Sequence, residues 1–172
     1  MNYILTSSAS FKLKNNQIKS ICFLKDKEWK HGIKSQMKWY KKNIKKNDIH
    51  NMLYINSKLV GYTVLRKKKC EIEGLKKRIN YFLLDTLLID KEYRNKRFAN
   101  LLMNFNNTII NQSGYFSFLI CEKNLVNFYK KNKWIKLDSK KIKVMGRLFS
   151  SNGMTFSKKY ANKKKFCFYI NK

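Results

Sequence analysis

The apolar positions change period several times along the chain, and each change marks an element. From Phe98 the period is helical: Phe98, Leu101, Leu102, Phe105 and Ile109 fall on one face, Asn100, Asn104 and Asn107 fall elsewhere, and Gly114 supplies a stop. Before it, residues 79–90 form the most apolar stretch, long enough for a central strand buried on both faces. The basic turn 91–97 joins the two. Upstream, residues 2–6 suit a short strand. Ile18, Ile21, Cys22 and Lys25 keep helical spacing, the lysine stem covering apolar surface. Met37, Tyr40 and Ile44 share a face of a second helix over 35–45. Two apolar segments, 52–55 and 59–65, flank Asn56-Ser57-Lys58, which reads as a hairpin connection. Downstream, 115–121 reads as a strand, 124–131 as a short helix and 134–137 as a strand. Ile142, Val144 and Gly146 then alternate, Asn152-Gly153 marks a turn, and Phe166, Phe168 and Ile170 alternate to the end. The pattern predicts a mixed α/β fold in one domain, 1–172, for no repeat or linker divides it.

Composition adds to this picture. Twelve Phe, ten Tyr and three Trp in 172 residues supply a core, which rules out disorder of the whole chain. Apolar runs such as Tyr81 to Leu84 stop far short of the roughly 18 residues of a membrane-spanning helix. The first residues, Met1 to Leu5, lack the basic start and long apolar stretch of a signal peptide, so the expected location is cytoplasmic. Cys22, Cys70, Cys121 and Cys167 form no C-x-x-C pair, and His31 and His50 are isolated; buried free thiols and no metal site are expected.

The net charge of +29 would ordinarily point to a polyanion partner. All but five of the 39 basic residues are lysine, however, beside many Asn and Ile and no Pro, the usage of an AT-rich genome. Arginine is the preferred reader of phosphates and bases, so nucleic acid is not the favoured partner.

Two of the five arginines fall in the basic turn. A strand, a basic turn and the N-terminus of a helix together make an anion site, because the first turn of a helix carries unpaired N–H groups and a partial positive charge. Arg94, Lys96 and Arg97 add cations just ahead of it.

The segment from Leu87 to Leu102 resembles the acetyl-CoA-binding segment of the GNAT N-acetyltransferases, in which an apolar strand end precedes Q/R-x-x-G-x-G/A at the start of a helix. Here the motif runs from Arg94 through Asn95, Lys96, Arg97 and Phe98 to Ala99. At the family's spacing, Asn124 to Trp134 is similar to its N-x-x-A-x-x-x-Y-x-x-x-G-F/W segment. The resemblance covers about residues 52 to 137. It implies a GNAT-like fold, a central mixed, mostly antiparallel sheet flanked by helices. It also implies transfer of an acetyl group from acetyl-CoA to a primary amine by direct attack. Leu87, Leu88 and Ile89 would meet the pantetheine arm through main-chain groups, and Arg94 to Ala99 the pyrophosphate. Asn124 would orient the pantetheine loop, and Tyr129 would both contact the cofactor and protonate the departing thiolate. Arg97 and Lys133 stand where the motifs have glycine, so Arg97 must turn its side chain away or use it on phosphate.

Asp85 interrupts the central strand and is the candidate general base; in a regular strand it shares a face with Tyr81, Leu83, Leu87 and Ile89. The alternative for Asp85 is a carboxylate paired with a lysine at the sheet surface. The resemblance places a small amine acceptor against residues 22–45 and 142–158, and leaves a homodimer through C-terminal strands open. With only Asp26, Glu28 and Asp48 near the acceptor side, an anionic amine such as an amino sugar nucleotide suits the charge better than an aminoglycoside. Two other readings are a non-catalytic GNAT-fold module binding RNA, DNA or another polyanion, and an acetyltransferase acting on a protein amine.

Overall fold

Asn56 and Ser57 both take left-handed backbone, φ 47° and 64°, and make the tight turn joining β2 (Ile49–Ile55) to β3 (Lys58–Ile72). The structure is a computed structural model that describes residues 2–148, 151–156 and 165–170. The chain packs as two units, Met1–Arg66 with Asp85–Asn106, and Lys67–Leu84 with Asn107–Lys172. β3, β4 (Ile79–Ile89) and α3 (Phe98–Ser113) run through both.

In the first unit β1 (Tyr3–Ala9) pairs antiparallel with β2, and β2 with β3. The Asp90 N–H donates to Val60 O at 2.7 Å and ties the end of β4 to β3. One sheet face is covered by α1 (Asn15–Glu28) and α2 (Ile33–Asn43). There Ile21, Cys22, Leu24 and Tyr40 pack with Met52, Tyr62, Val64 and Leu88. On the other face Leu53, Ile55, Val60 and Ile89 pack with Leu102 of α3. Each large side chain so buried stabilises the fold by about 1.5–3 kcal/mol.

Two polar networks run inside this unit. Asn106 Oδ1 accepts from Asn51 Nδ2 (2.8 Å) and Thr63 Oγ1 (2.9 Å), and its Nδ2 donates to Leu102 O. His50 is fully buried, with Nδ1 2.8 Å from Tyr62 Oη and Nε2 3.4 Å from Tyr40 Oη.

In the second unit β4 pairs parallel with β5 (Phe116–Cys121) over Tyr81 to Leu83. β6 (Ile135–Lys136) and β5 both pair antiparallel with β9 (Asn152–Thr155). β10 (Phe166–Tyr169) lies antiparallel on β3 and parallel to β7 (Ile142–Val144), which turns into β8 (Arg147–Leu148). The strands make a mixed, mostly antiparallel sheet, as expected. An aromatic core fills the unit: Phe118 stacks on Phe168 at 3.7 Å between centroids, with the Tyr81 edge 5.1 Å from Phe168.

One sequence expectation fails in this unit. Asn152-Gly153 is not a turn but the start of β9. A Cβ on Gly153 would lie 2.8 Å from both Ile142 and Phe118, so glycine there serves close packing. Asn107 of α3 is buried, and its amide bridges Asn132 O (3.0 Å) and Trp134 Nε1 (2.9 Å).

Candidate active site

The turn ahead of α3 shows how a chain without motif glycines makes a glycine-like loop. Asn95 and Arg97 both take left-handed backbone, φ 62° and 61°, a conformation costing a side-chain-bearing residue about 1–2 kcal/mol. The Arg97 carbonyl accepts from Leu101 N (3.1 Å), so Arg97 caps α3. Among the described residues its guanidinium has no hydrogen-bond or ion-pair partner. The first turn of α3 holds no acid, so nothing there competes with an anion for its N–H groups.

Arg94 is used differently: Nε donates to Ile89 O (3.1 Å) and Nη2 to Glu28 (2.6 Å), which clamps the turn to β4 and α1. Lys96 lies over the Tyr93 ring. Phe98 and Ala99, partly buried, pack onto the core beneath α3. Arg94 to Ala99 thus form one loop, with Arg94 structural and Arg97 free to face a ligand.

Upstream, Thr86 takes φ 61°, a genuine departure for a β-branched residue within a strand. The strand changes phase there. Asp85 faces α2, where Oδ2 accepts from Arg66 Nη1 (2.7 Å), and Arg66 Nη2 donates to Asn43 O (3.0 Å). Leu88 faces α1 and α2 as well, whereas Leu87 and Ile89 pack on the α3 side. The expectation that Asp85 shares a face with Leu87 and Ile89 is therefore corrected, because the extra residue at 86 breaks the alternation. Asp85 is ion-paired, though with arginine, and Oδ1 has Thr86 Oγ1 at 3.4 Å. The β4–β5 ladder covers Tyr81 to Leu83, and Leu87 to Ile89 lie beyond it in the chain.

A cavity of about 360 Å³ opens beside Thr86, lined by Lys25, Trp29, His31, Ser35, Gln36 and Trp39. Gln36 Nε2 donates to Trp29 O (3.0 Å), joining the two helices across its wall. Sequence reasoning gave Lys25 a covering role and singled out neither tryptophan. Two of the chain's three tryptophans falling ten residues apart, one just past α1 and one in α2, was the available signal.

In the second unit Tyr129 sits on α4 (Val126–Lys131), 6% exposed, with Phe128 and Trp134 against its ring. Burial pushes its phenol up to about 12, so it stays protonated through the neutral range. Lys133 takes the motif glycine's place at φ 68°, and the Trp134 N–H returns to Tyr129 O (3.0 Å). The Asn107 amide fixes this return. Asn124 is exposed in the 3₁₀ turn before α4. Of the C-terminal stretch expected to meet the acceptor, residues 149–150 and 157–158 lie outside the described residues.

No family model and no curated protein matches this sequence. Solved structures do match. A GNAT family N-acetyltransferase (YhbS) from Escherichia coli in complex with CoA aligns with TM-score 0.67 at 11% identity, covering 98% of this chain and 89% of that one. An acyl-CoA N-acyltransferase from Pseudomonas aeruginosa aligns at 0.66 and 12% identity, covering 91% and 100%. An aminoglycoside 6'-N-acetyltransferase complexed with coenzyme A gives 0.60 and 12%, covering 87% and 95%.

Proposed function

We propose that this chain, which has the GNAT fold, is a single-domain acetyl-CoA-dependent N-acetyltransferase acting on a primary amine of a small molecule. The observation carrying the proposal is the loop at Asn95 and Arg97, held left-handed without glycine and opening onto the N-terminus of α3. Neighbours crystallised with CoA support the same assignment.

The residues fit acetyl-CoA. The first-turn N–H groups of α3 and the unpartnered Arg97 suit its pyrophosphate, and the main chain of Leu87, Leu88 and Ile89 suits its pantetheine arm. Bound there, it supplies an acetyl group activated as a thioester. Asn124, exposed in the 3₁₀ turn before α4, is a polar group available to bond the cofactor. Asp85 takes the proton from the acceptor ammonium through Oδ1, directly or by way of a water, while Oδ2 holds Arg66. Tyr129, whose phenol is protonated at neutral pH, gives its proton to the leaving sulfur.

Melting with and without excess acetyl-CoA tests the proposal. A ligand that binds only the native state at about 100 times its Kd adds about 2.7 kcal/mol of stability. An unchanged melt overturns the acetyltransferase reading and leaves the polyanion-binding module.

A further inference from the structure

Folding removes the Lys25 ammonium from water without giving it an anion. Lys25 is 7% exposed. Its Nζ lies 3.6 Å from the centre of the Trp39 ring and 5.8 Å from that of Trp29. Among the described residues it has no hydrogen bond and no ion pair. Asp85, the acid that acts on it, and the acids of α1 and Asp48 bond other groups. Asp85 holds Arg66, Asp26 accepts from Gly32 N, Glu28 holds Arg94, and Asp48 accepts from Lys45 N. Two buried cations, Lys25 and Arg66, therefore face one carboxylate, Asp85.

A desolvated cation without its own anion is costly, and indole faces recover only part of that cost. Burial accordingly pulls the Lys25 ammonium below its ordinary value, Asp85 opposing and Arg66 adding to the effect. Lys25 lines the cavity beside Thr86, together with the two indoles.

We propose that this cavity takes an amine that also carries a carboxylate on an apolar or aromatic body of amino-acid size, the carboxylate against Lys25 and the body against Trp29 and Trp39. The inference rests on the acetyltransferase reading and names its acceptor class. A volume of about 360 Å³ holds one such molecule. One ammonium balances a monoanion, whereas a phosphate dianion calls for further donors.

The test uses a matched pair, L-phenylalanine and phenethylamine, which differ by the carboxylate. Trp29 and Trp39 line the cavity, so indole emission, excited where phenylalanine does not absorb, reports binding without turnover. Phenylalanine is expected to bind at least about tenfold tighter than phenethylamine. In Lys25→Met, which keeps the length and apolar stem, that preference is expected to fall within about twofold. Equal affinities in the parent chain, no response to either probe, or a preference that survives Lys25→Met would each overturn the proposal. The parent-chain comparison decides the matter even if the variant does not fold. The acetyl-CoA melt reports separately on the acetyltransferase reading: a shift there with no carboxylate preference rejects the acceptor class alone.

Discussion

Tyr129 and Asp85 carry the proton traffic of the proposed reaction, and each has a structural role from which that traffic must be separated. Tyr129→Phe keeps the ring that packs on Phe128 and Trp134. It should therefore melt close to the parent while kcat falls about 10²-fold or more, with little change in acetyl-CoA affinity. Asp85→Asn should abolish or move the rise of rate with pH if Asp85 is the base. A variant that is merely less stable, with the parent's pH profile, would leave Asp85 as the anchor of Arg66 alone. His50 makes a different prediction. Burial lowers its imidazole from 6.5 to about 4, so between those values the unfolded chain binds a proton that the native chain refuses. Stability from this residue is full above about pH 6.5 and is lost as pH falls towards 4, by about 3 kcal/mol in all. Urea midpoints measured across that window should drop for the parent and drop less for His50→Gln.

At the scale of elements, the extent of α3 and its basic approach are legible because helical period and charge are local properties. Its buried face is shifted, with Met103, Asn106 and Ile110 buried and Phe105 and Ile109 only partly so. The helix begins at Phe98, and Gly114 follows its end with φ 69°. The loop before it was recognised through position in a motif. Its left-handed residues were hidden, since Asn95 and Arg97 give no glycine signal. Arg97→Gly tests what that geometry costs. Relief of the strained φ, set against the entropy glycine loses on folding, should stabilise the fold by up to about 1 kcal/mol, read as a higher urea midpoint with m unchanged. Acetyl-CoA affinity should fall, as a free cation is lost. Lys25, Trp29 and Trp39 were illegible as a site because their meeting depends on how α1 and α2 lie together. The burial of Asn107 does not follow from the helical period, because it depends on the carbonyl of Asn132 and the indole of Trp134, 25 and 27 residues away.

For the whole molecule, the charge of +29 acts on every ligand that approaches. The second unit concentrates it in a cleft of about 470 Å³ that includes Lys76, Lys77, Arg78, Lys140 and Lys143. Its acids are engaged, Glu71 with Arg78 and Tyr169 and Glu73 with Lys165. Anionic amines should accordingly be better acceptors than aminoglycosides, and the gap should narrow as salt shortens the reach of the field. A panel of both classes at two salt concentrations measures this; aminoglycosides acetylated efficiently beside inert anionic amines would contradict it. The sequence showed the sign and size of this field, but not that Lys25 would be the cation buried against two indoles.

Thr86 has one more consequence, in the arithmetic of the strand. Counting along β4 without it, Asp85 and Leu88 alternate correctly with Leu87 and Ile89, so the residue is supernumerary to both cores. A chain lacking Thr86 should still bury Leu88 beneath α1 and α2, and still lay Ile89 over Gly61, where space is so short that a Cβ would come within 2.9 Å. Deleting Leu84 instead should cost the fold heavily, because that residue is not surplus. The Thr86 deletion is thus expected to melt cooperatively within a few degrees of the parent while losing acceptor binding, marking this residue as an insertion kept for the cavity it shapes.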